Sequence, residues 1–317
     1  MTKRYLVVSI DTEIDHDEEW RIADPPAFSS IVDGIPRLLA PLFKRHQVVP
    51  TYLLSPEVIE DPECIAVLRR LGSAAEMGTH LHLDFIEPDR RLFRHNMAGQ
   101  RAAAIQAQCS LEVEMRKMEN LTRAFSDAFG FQPRSFRAGR FGIGPHTLEI
   151  LARLGYLVDS SVTPGLRWKY AEGLIDHRQW SQQPAWVYTA AGAILELPLS
   201  IRPASRLSPI IREIPLLPRR FVSTRLFERV AGYRWLRPSW NGGEDLIRYT
   251  EQSSEEILVL MFHSTEIIPG ASPYAQLSED VQRIIQSMDA LFRYWRDAGH
   301  AFCSMIEAAE HVKRDGS

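Results

Sequence analysis

Short apolar runs alternate with helical patterns along most of the chain, and this alternation limits the possible folds more than any other feature. Residues 5–10 form a β-branched run that is mainly apolar on both faces, which is typical of a buried parallel strand. Apolar residues at helical spacing follow over residues 31–46, and residues 48–54 have the pattern of a second strand. This strand, helix, strand order predicts a parallel α/β fold.

The same alternation continues towards the carboxyl terminus. Asp61 predicts the N-cap of a helix over residues 62–71, and a third strand follows over residues 75–82. Ser110 predicts the N-cap of a longer helix, which Gly130 ends. The remaining predicted elements are strands at residues 135–138, 156–159, 194–197 and 257–262, a helix at residues 147–155, a last long helix that Ser278 caps, a weak strand near Phe302 and a terminal helix.

Charged or polar residues follow directly after the predicted strands. Because the catalytic groups of (β/α) barrels lie at the carboxyl ends of the strands, this clustering favours one closed or distorted barrel over an open sheet. The residues concerned are Asp11, Glu13, His80, His82, Arg137, Arg140, Asp159 and His263.

Two of these residues, His80 and His82, are separated by a single leucine at the end of an apolar run. In an extended backbone, side chains two residues apart leave the same face of the strand. Both imidazoles can then point at one position, which is a geometry that metal sites use. Asp84 lies two residues further along and is a third candidate ligand.

Composition excludes several classes of protein. The chain has 317 residues, of which 45% are hydrophobic and 24% are charged, so it can bury a large core. The net charge of −3 does not favour nucleic acid or an anionic membrane as a partner. The three cysteines are far apart and indicate a reducing compartment without a disulfide framework. No apolar run reaches the length of a signal-peptide core or a membrane span, so we expect a cytoplasmic protein without stable membrane insertion.

The segment over residues 198–240 interrupts the alternation, because it contains six prolines and several arginines. One interpretation is a long surface excursion with a short helix at residues 223–230. A second hypothesis is a basic flap that includes Arg219 and Arg220 and covers the site of an anionic or lipid-phosphate-linked substrate.

Five short motifs occur in a fixed order and resemble the successive motifs of the polysaccharide deacetylases, which are the NodB-homology proteins of carbohydrate esterase family 4. The resemblance covers roughly residues 5–302, and the run from His263 to Tyr274 is most similar to the WalW-like branch, which is associated with lipopolysaccharide and exopolysaccharide biosynthesis. The motifs are SIDTE at residues 9–13, GTHLH at 78–82, FRAGRFG at 136–142, DSSVTP at 159–164 and FHSTE at 262–266.

The resemblance implies one catalytic domain over residues 1–317 with a distorted (β/α) barrel fold, and a divalent metal, with zinc as the first choice. By motif, Asp11 would be the general base and His263 the general acid that protonates the leaving amine. Arg137 would orient Asp11, and Asp159 would tune the acid histidine. The residues themselves leave another arrangement open, in which Arg137 bridges to Asp159 instead.

Two positions depart from the family pattern. Its first motif usually has two adjacent aspartates, a base and then a metal ligand, but the second position here is Thr12. Glu13 is our candidate replacement, because its side chain leaves the same face as Asp11. The second motif usually has histidines four residues apart, but this chain has Asp84 there, so His82 is the first candidate and Asp84 the alternative. The predicted metal ligands are Glu13, His80 and His82.

These inferences favour a metal-dependent hydrolase that removes an acetyl or formyl group from an amino sugar in a cell-surface glycan precursor. Two alternatives remain open at this level. The altered motifs are also compatible with a non-catalytic glycan-binding protein, and Asp11 and Glu266 could serve as the paired carboxylates of a glycosidase.

Overall fold

The computed structural model describes residues 3–22, 25–90, 105–169, 173–206, 208 and 232–312. In chain order, the strands are β1 (Tyr5–Thr12), β2 (Thr51–Leu54), β3 (Glu76–Leu81), β4 (Ser135–Ala138), β5 (Val158–Asp159), β6 (Arg167–Lys169), β7 (Leu174–Asp176), β8 (Ala185–Thr189), β9 (Gly192–Glu196), β10 (Ile201–Pro203), β11 (Tyr233–Trp235), β12 (Ile257–His263) and β13 (Ala301–Cys303).

Most helices follow a strand. The α-helices are α1 (Ala40–His46), α2 (Pro56–Glu60), α3 (Pro62–Arg69), α4 (Leu111–Phe129), α5 (Thr147–Arg153), α6 (Gly243–Glu251), α7 (Ser278–Asp297) and α8 (Met305–His311). A π-helical segment (Ser30–Leu39) precedes α1, and short 3-10 turns occur at Gly72–Ala74, Leu83–Phe85, Gln106–Gln108, Gly139–Phe141 and Ser264–Ile267.

The strands of the main sheet lie in the order β12, β1, β2, β3, β4, β5, β9, β8, and β13 also pairs with β1. All these pairs are parallel except β8 with β9, which form an antiparallel hairpin. Two separate ribbons, β6 with β7 and β10 with β11, are antiparallel. The sheet curls and helices pack on its outside, so the predicted distorted (β/α) barrel is confirmed.

Side-chain alternation along the strands separates the outer core from the barrel interior. On β1, Leu6, Val8 and Ile10 pack in the large core, whereas Val7 belongs to the second core inside the curl. Asp11 is on the same side of β1 as Val7, because successive side chains of a strand point to opposite faces. This alternation brings polar residues inside the barrel at the carboxyl ends of the strands.

Several boundaries differ from the sequence predictions for local reasons. The second strand begins at Thr51 and not at residue 48, because Pro50 cannot donate a backbone hydrogen bond. Ser278 is the first residue of α7 and not its cap: the carboxylate of Asp280 accepts from the backbone nitrogens of Gln276 and Leu277. Five short strands (β6, β7, β8, β10 and β11) have no counterpart among the predicted elements, and all of them except β8 have only three residues, which is too short for a sustained pattern.

The described parts of the Pro/Arg-rich segment do not all lie on the surface. Trp235 is 6% exposed, Leu236 1% and Arg237 3%. The predicted surface excursion is therefore wrong for this end of the segment, because Leu236 packs in the large core. The predicted helix at residues 223–230, and the flap with Arg219 and Arg220, lie outside the described residues. Among the helices that the structure describes, none is long and apolar enough to cross a bilayer.

Gly78 allows β3 to pack closely between its neighbours. A Cβ atom at this position would lie 2.6 Å from the carbonyl oxygen of Ser135 and 2.8 Å from a methyl group of Leu53. Because the carbonyl belongs to the backbone of β4, it cannot move aside without shifting the strand. We expect Gly78→Ala to lower the free energy of unfolding by about 2 to 3 kcal/mol, as measured by urea denaturation.

A matched control is Gly242→Ala, because a Cβ there would meet no atom within 4 Å. Gly242 is the N-cap of α6, where alanine is less favourable than glycine, so we expect this variant to lower the free energy of unfolding by no more than about 1 kcal/mol. Equal stability of the two variants would contradict the close packing at Gly78.

Candidate functional site

The carboxyl ends of four strands bring the candidate residues together. Asp11 at the end of β1 lies beside His263 at the end of β12 in the strand register. His80 on β3 lies beside Arg137 on β4 in the same way. The predicted clustering therefore follows from the parallel topology, since parallel strands end at the same edge of a sheet.

Glu13, His80 and His82 converge on one position. The Oε1 atom of Glu13 lies 2.9 Å from Nε2 of His80 and 3.0 Å from Nε2 of His82. The two Nε2 atoms are also 3.0 Å apart. Glu13 and His80 are buried, and His82 is partly exposed, so the cluster opens towards solvent on the His82 side.

The protonation of the two rings shows what this cluster can hold. Nδ1 of His80 lies 2.9 Å from the carbonyl oxygen of Arg137, which can only accept, so Nδ1 donates and Nε2 faces Glu13. Burial would lower the pKa of His80, but Asp11 and Glu13 outweigh it and the pKa is raised. Burial lowers the pKa of His82 to about 4, so this ring is neutral at pH 7. With Nδ1 as the protonated nitrogen of both rings, the two Nε2 atoms and Oε1 of Glu13 would direct three lone pairs at one position, and a cation there would relieve their repulsion. Two imidazoles and one carboxylate are a catalytic zinc ligand set, so these residues fit a divalent cation.

Thr12 and Asp84, the alternative ligands, have other contacts. The hydroxyl of Thr12 donates to the carbonyl oxygen of Ile10. A carboxylate oxygen of Asp84 lies 3.8 Å from the Arg140 guanidinium. The residues that cluster with His80 are therefore Glu13 and His82, which are the two predicted replacements for the usual metal ligands of the family.

Arg137 is fully buried and binds Asp11 directly. Its Nη1 lies 2.5 Å from Oδ1 of Asp11, and its other donors reach Ser9 and Ser160. Burial alone would raise the pKa of Asp11, but the guanidinium, with His80 and His263, outweighs burial and the pKa is lowered. Asp11 is therefore ionised at neutral pH, and its Oδ2 atom remains directed at the site.

His263 lies on the opposite side of Asp11 from Arg137. Its Nε2 is 3.9 Å from Oδ2 of Asp11, and its Nδ1 is 2.9 Å from Oε1 of Glu266. The same Glu266 oxygen accepts from the backbone nitrogen of His263 and from Arg237. Burial would raise the pKa of Glu266, but Arg237 and His263 lower it to about 2. A permanently charged Arg237–Glu266 pair thus holds the imidazole in place.

Asp159 occupies a different position from the one that the family resemblance implied. Its Oδ1 accepts from the hydroxyl of Ser161, and it is also hydrogen bonded to Glu196, its neighbour in the strand register. Burial raises the pKa of Asp159, and the pKa of Glu196 is raised well above its usual range by burial and by Asp159. The carboxylates beside the His263 ring are Glu266 and Asp11, and the carboxylate bonded to Arg137 is Asp11, whereas the hydrogen bonds of Asp159 go to Ser161 and Glu196.

Sequence reasoning missed the role of Arg237. It comes from the Pro/Arg-rich segment, and its guanidinium lies 2.9 Å from Nδ1 of His263. The sequence signal was an arginine between two tryptophans, Trp235 and Trp240, within a segment interpreted as surface. Because Arg237 is 26 residues before His263, no local pattern connects the two.

The lowered pKa of Glu266 predicts a dependence of stability on pH. The folded pKa of about 2 lies below the ordinary value of 4.5, so Glu266 stabilises the fold above about pH 4.5, and this contribution is lost as the pH falls towards 2. Its size is roughly 3 kcal/mol. We expect Glu266→Gln to reduce the slope of unfolding free energy against pH between pH 5 and pH 2, as measured by urea denaturation.

Glu279→Gln, at an exposed position in the first turn of α7, is the matched control and should leave that slope unchanged. An identical slope in wild type and Glu266→Gln would show that the carboxyl is not held in its charged form by Arg237.

Comparisons with known proteins show the fold. No family model matches the sequence, and no curated protein matches it at a significant level. Two solved structures described as polysaccharide deacetylases are similar to this chain: one from Mycobacterium smegmatis (TM-score 0.55) and one from Pseudomonas aeruginosa PAO1 (TM-score 0.53), each 15% identical, covering 98% of this chain and 91% of the other. Puue allantoinase has a TM-score of 0.55 at 14% identity, covering 97% of this chain and 88% of that one. The chain therefore shares the distorted (β/α) barrel fold of these three structures.

Proposed function

We propose that this protein is a metal-dependent hydrolase that removes an N-acyl group, acetyl or formyl, from an amino sugar. The observation that carries the proposal is the closeness of two groups of side chains: Glu13, His80 and His82 converge on one position, and Asp11 and His263 lie beside Glu13 in the second group. Glu13 belongs to both groups, and the ligand atoms of each group lie within 4.8 Å of one another. Deacylation needs these components close together.

The three converging residues would hold a divalent cation, and zinc suits two imidazoles with one carboxylate. Bound there, the cation supplies Lewis-acid polarisation of the acyl carbonyl and lowers the pKa of a water molecule. The protein keeps the ligands in the required state, because His80 is oriented by the Arg137 carbonyl and burial keeps His82 neutral.

Asp11 acts as the general base. Its Oδ2 atom takes one proton from the attacking water, while Oδ1 stays bonded to Arg137. Arg137 holds the carboxylate ionised and fixes its direction, which is the role that the family resemblance assigns to this pair.

His263 acts as the general acid. Its Nε2 atom gives a proton to the amide nitrogen as the C–N bond breaks, so the products are the free carboxylic acid and the free amine. The oxygen of water ends on the acid, and the two protons that move pass through Asp11 and His263. Glu266 and Arg237 position the ring so that Nε2 faces the site.

The glycosidase alternative is less compatible with this geometry. It requires both Asp11 and Glu266 to reach the substrate, but Glu266 is fully buried and bonded to Arg237. The glycan-binding alternative needs neither a cation nor an ionised Asp11, and experiment can separate it from catalysis.

For the substrate, we propose an amino-sugar glycan precursor of a cell-surface polysaccharide or lipopolysaccharide. The structural neighbours described as polysaccharide deacetylases and the similarity of the run from His263 to Tyr274 to the WalW-like branch support this choice.

The test is to incubate purified, untagged protein with N-acetylglucosamine oligomers, nucleotide-linked N-acetylglucosamine and N-formyl analogues. We expect equal amounts of amine and free acid, loss of the reaction with a chelator, and recovery with zinc. Allantoin belongs in the panel, because one structural neighbour is described as an allantoinase. No amine from any amino sugar under metal-replete conditions would refute the proposal, and new reducing ends would indicate a glycosidase.

A further inference from the structure

Side chains, and not the sheet, hold the backbone of Glu13. Strand β1 ends at Thr12, so Glu13 lies just beyond the ladder that pairs Asp11 with β2 and β12. A glutamate also has one more rotatable bond than the aspartate that the family pattern has at position 12. The direction of the Glu13 carboxylate therefore depends on the groups that fix the residue from outside the sheet.

Ser264 binds both backbone groups of Glu13. Its Oγ atom accepts from the Glu13 backbone nitrogen at 3.2 Å and donates to the Glu13 carbonyl oxygen at 3.4 Å. Ser30 donates to the same Oγ atom at 3.4 Å. Both serines are fully buried, so no water competes for these contacts.

Ser55 and Glu57 hold the residues on either side of Glu13. The Ser55 Oγ atom lies 3.1 Å from the carbonyl oxygen of Thr12 and 2.5 Å from Oε1 of Glu57. The same Glu57 oxygen accepts from the backbone nitrogen of Ile14 at 3.4 Å. Four consecutive backbone groups, from the Thr12 carbonyl to the Ile14 nitrogen, are thus bound by side chains. We call Ser55, Glu57 and Ser264 the brace.

A count of protons indicates the form in which Glu57 acts. The Ser55 hydroxyl has one proton and two oxygen neighbours, and the Thr12 carbonyl can only accept. Both contacts are hydrogen bonds when Glu57 carries a proton and donates it to Ser55. Burial raises the pKa of Glu57 to about 7, which agrees with a bound proton. Glutamine is neutral and can donate the same bond, so it is the conservative replacement.

Glu57 is a poor choice for stability alone. It is only 5% exposed, and its Oε2 atom has no hydrogen-bond partner on another residue that the structure describes. A buried polar atom without a partner destabilises a fold, and an apolar side chain of similar size avoids this loss. A carboxyl at this position is explained if it serves the placement of Glu13.

We propose that the brace is a positioning device that directs the Glu13 carboxylate at His80 and His82, with Glu57 as its main positioning residue. Ser55 and Glu57 lie outside the five sequence motifs. The brace accompanies the replacement of the usual aspartate ligand by a longer side chain one residue further along. This inference rests on the cation site of the proposed function and adds the residues that set its affinity.

The test measures the zinc dissociation constant of wild type, Glu57→Met, Glu57→Gln and Ser264→Ala by competition with a chromophoric chelator. We expect Glu57→Met and Ser264→Ala each to weaken zinc binding by about 10- to 100-fold, which is the usual effect of removing a group that orients a metal ligand. Glu57→Gln should stay within about threefold of wild type, because its amide can donate to Ser55.

Urea denaturation of the metal-free proteins separates positioning from a purely structural role. Methionine removes the unpaired buried oxygen of Glu57 and fills a similar volume, so the urea midpoint of Glu57→Met should equal or exceed that of wild type. A structural role predicts the opposite pair of results, which is a lower midpoint with unchanged zinc affinity.

Glu114→Met is the matched control. Glu114 on α4 is also a fully buried carboxyl whose Oε2 atom has no partner among the described residues, but its hydrogen bonds go to Gln106 and Thr147. This variant should bind zinc as wild type does.

The outcomes for the brace and for the hydrolase are distinguishable. Wild-type zinc affinity in both Glu57→Met and Ser264→Ala would refute the brace and leave the hydrolase standing. Weak zinc binding in Glu57→Met with a lowered urea midpoint and no recovery in Glu57→Gln would also refute the brace. Zinc binding that depends on the brace, without amine release from any amino sugar, would sustain the brace and refute the hydrolase. A wild type that binds no zinc would refute both.

Discussion

Replacing Asp11 by asparagine is expected to lower kcat/KM for deacylation by about 10³-fold or more, because an amide cannot take the proton from water. Asparagine has nearly the same shape as aspartate, so the positions of Glu13 and His263 should be preserved. The fully buried Arg137 loses its counter-charge, however, and this costs about 3 to 5 kcal/mol of stability. Activity is therefore measured well below the melting temperature of the variant, with circular dichroism to verify folding.

Two controls isolate the chemical effect. Asp297→Asn removes an exposed carboxylate at the end of α7 and should retain full activity. Zinc content of Asp11→Asn should equal that of wild type, since Asp11 is not among the three converging ligands. A folded, zinc-loaded Asp11→Asn variant with wild-type kcat/KM would eliminate Asp11 as the base.

Removing the His82 imidazole is expected to have the second largest effect. In His82→Ala, only Glu13 and His80 of the cluster remain, and we expect zinc affinity to fall by about 100-fold or more. The readout does not depend on activity: elemental analysis after dialysis should give about one zinc per wild-type chain and almost none in the variant. Zinc at about 1,000 times its dissociation constant should stabilise wild type by about 4 kcal/mol, and this stabilisation should be lost.

The matched controls are substitutions of Thr12 and Asp84, which stand at the positions where the family pattern has its metal ligands. Thr12→Ala and Asp84→Asn should both keep zinc, because Thr12 bonds to Ile10 and Asp84 lies beside Arg140. Loss of zinc in Asp84→Asn with retention in His82→Ala would reverse the assignment of the second histidine position.

Local sequence patterns predicted some strands correctly but missed short ribbons and long-range contacts. Strands such as β12 at Ile257–His263 agree with their predicted bounds to within one residue, because a short apolar run between polar turns is a local signal. The ribbons of β6 with β7 and β10 with β11 were not predicted. Each strand has only three residues, which is too short for a recognisable sequence pattern, and its extended conformation depends on pairing with the other strand of the ribbon. Arg237 was assigned to a surface segment, because nothing near it in sequence indicates the buried Glu266 with which it pairs.

The sequence by itself determined the order of the main parallel strands and of the longer helices, and it placed Asp11, His80, His82, Arg137 and His263 at strand ends, because side-chain periodicity is a property of each short segment. Only the tertiary structure decided the contacts among them. It brought Glu13 rather than Thr12 to His80, gave His263 the carboxylate of Glu266 rather than Asp159, and set Trp20 against the same ring. Most of these contacts join residues distant in the chain, and all depend on how the sheet curls and on where each side chain points.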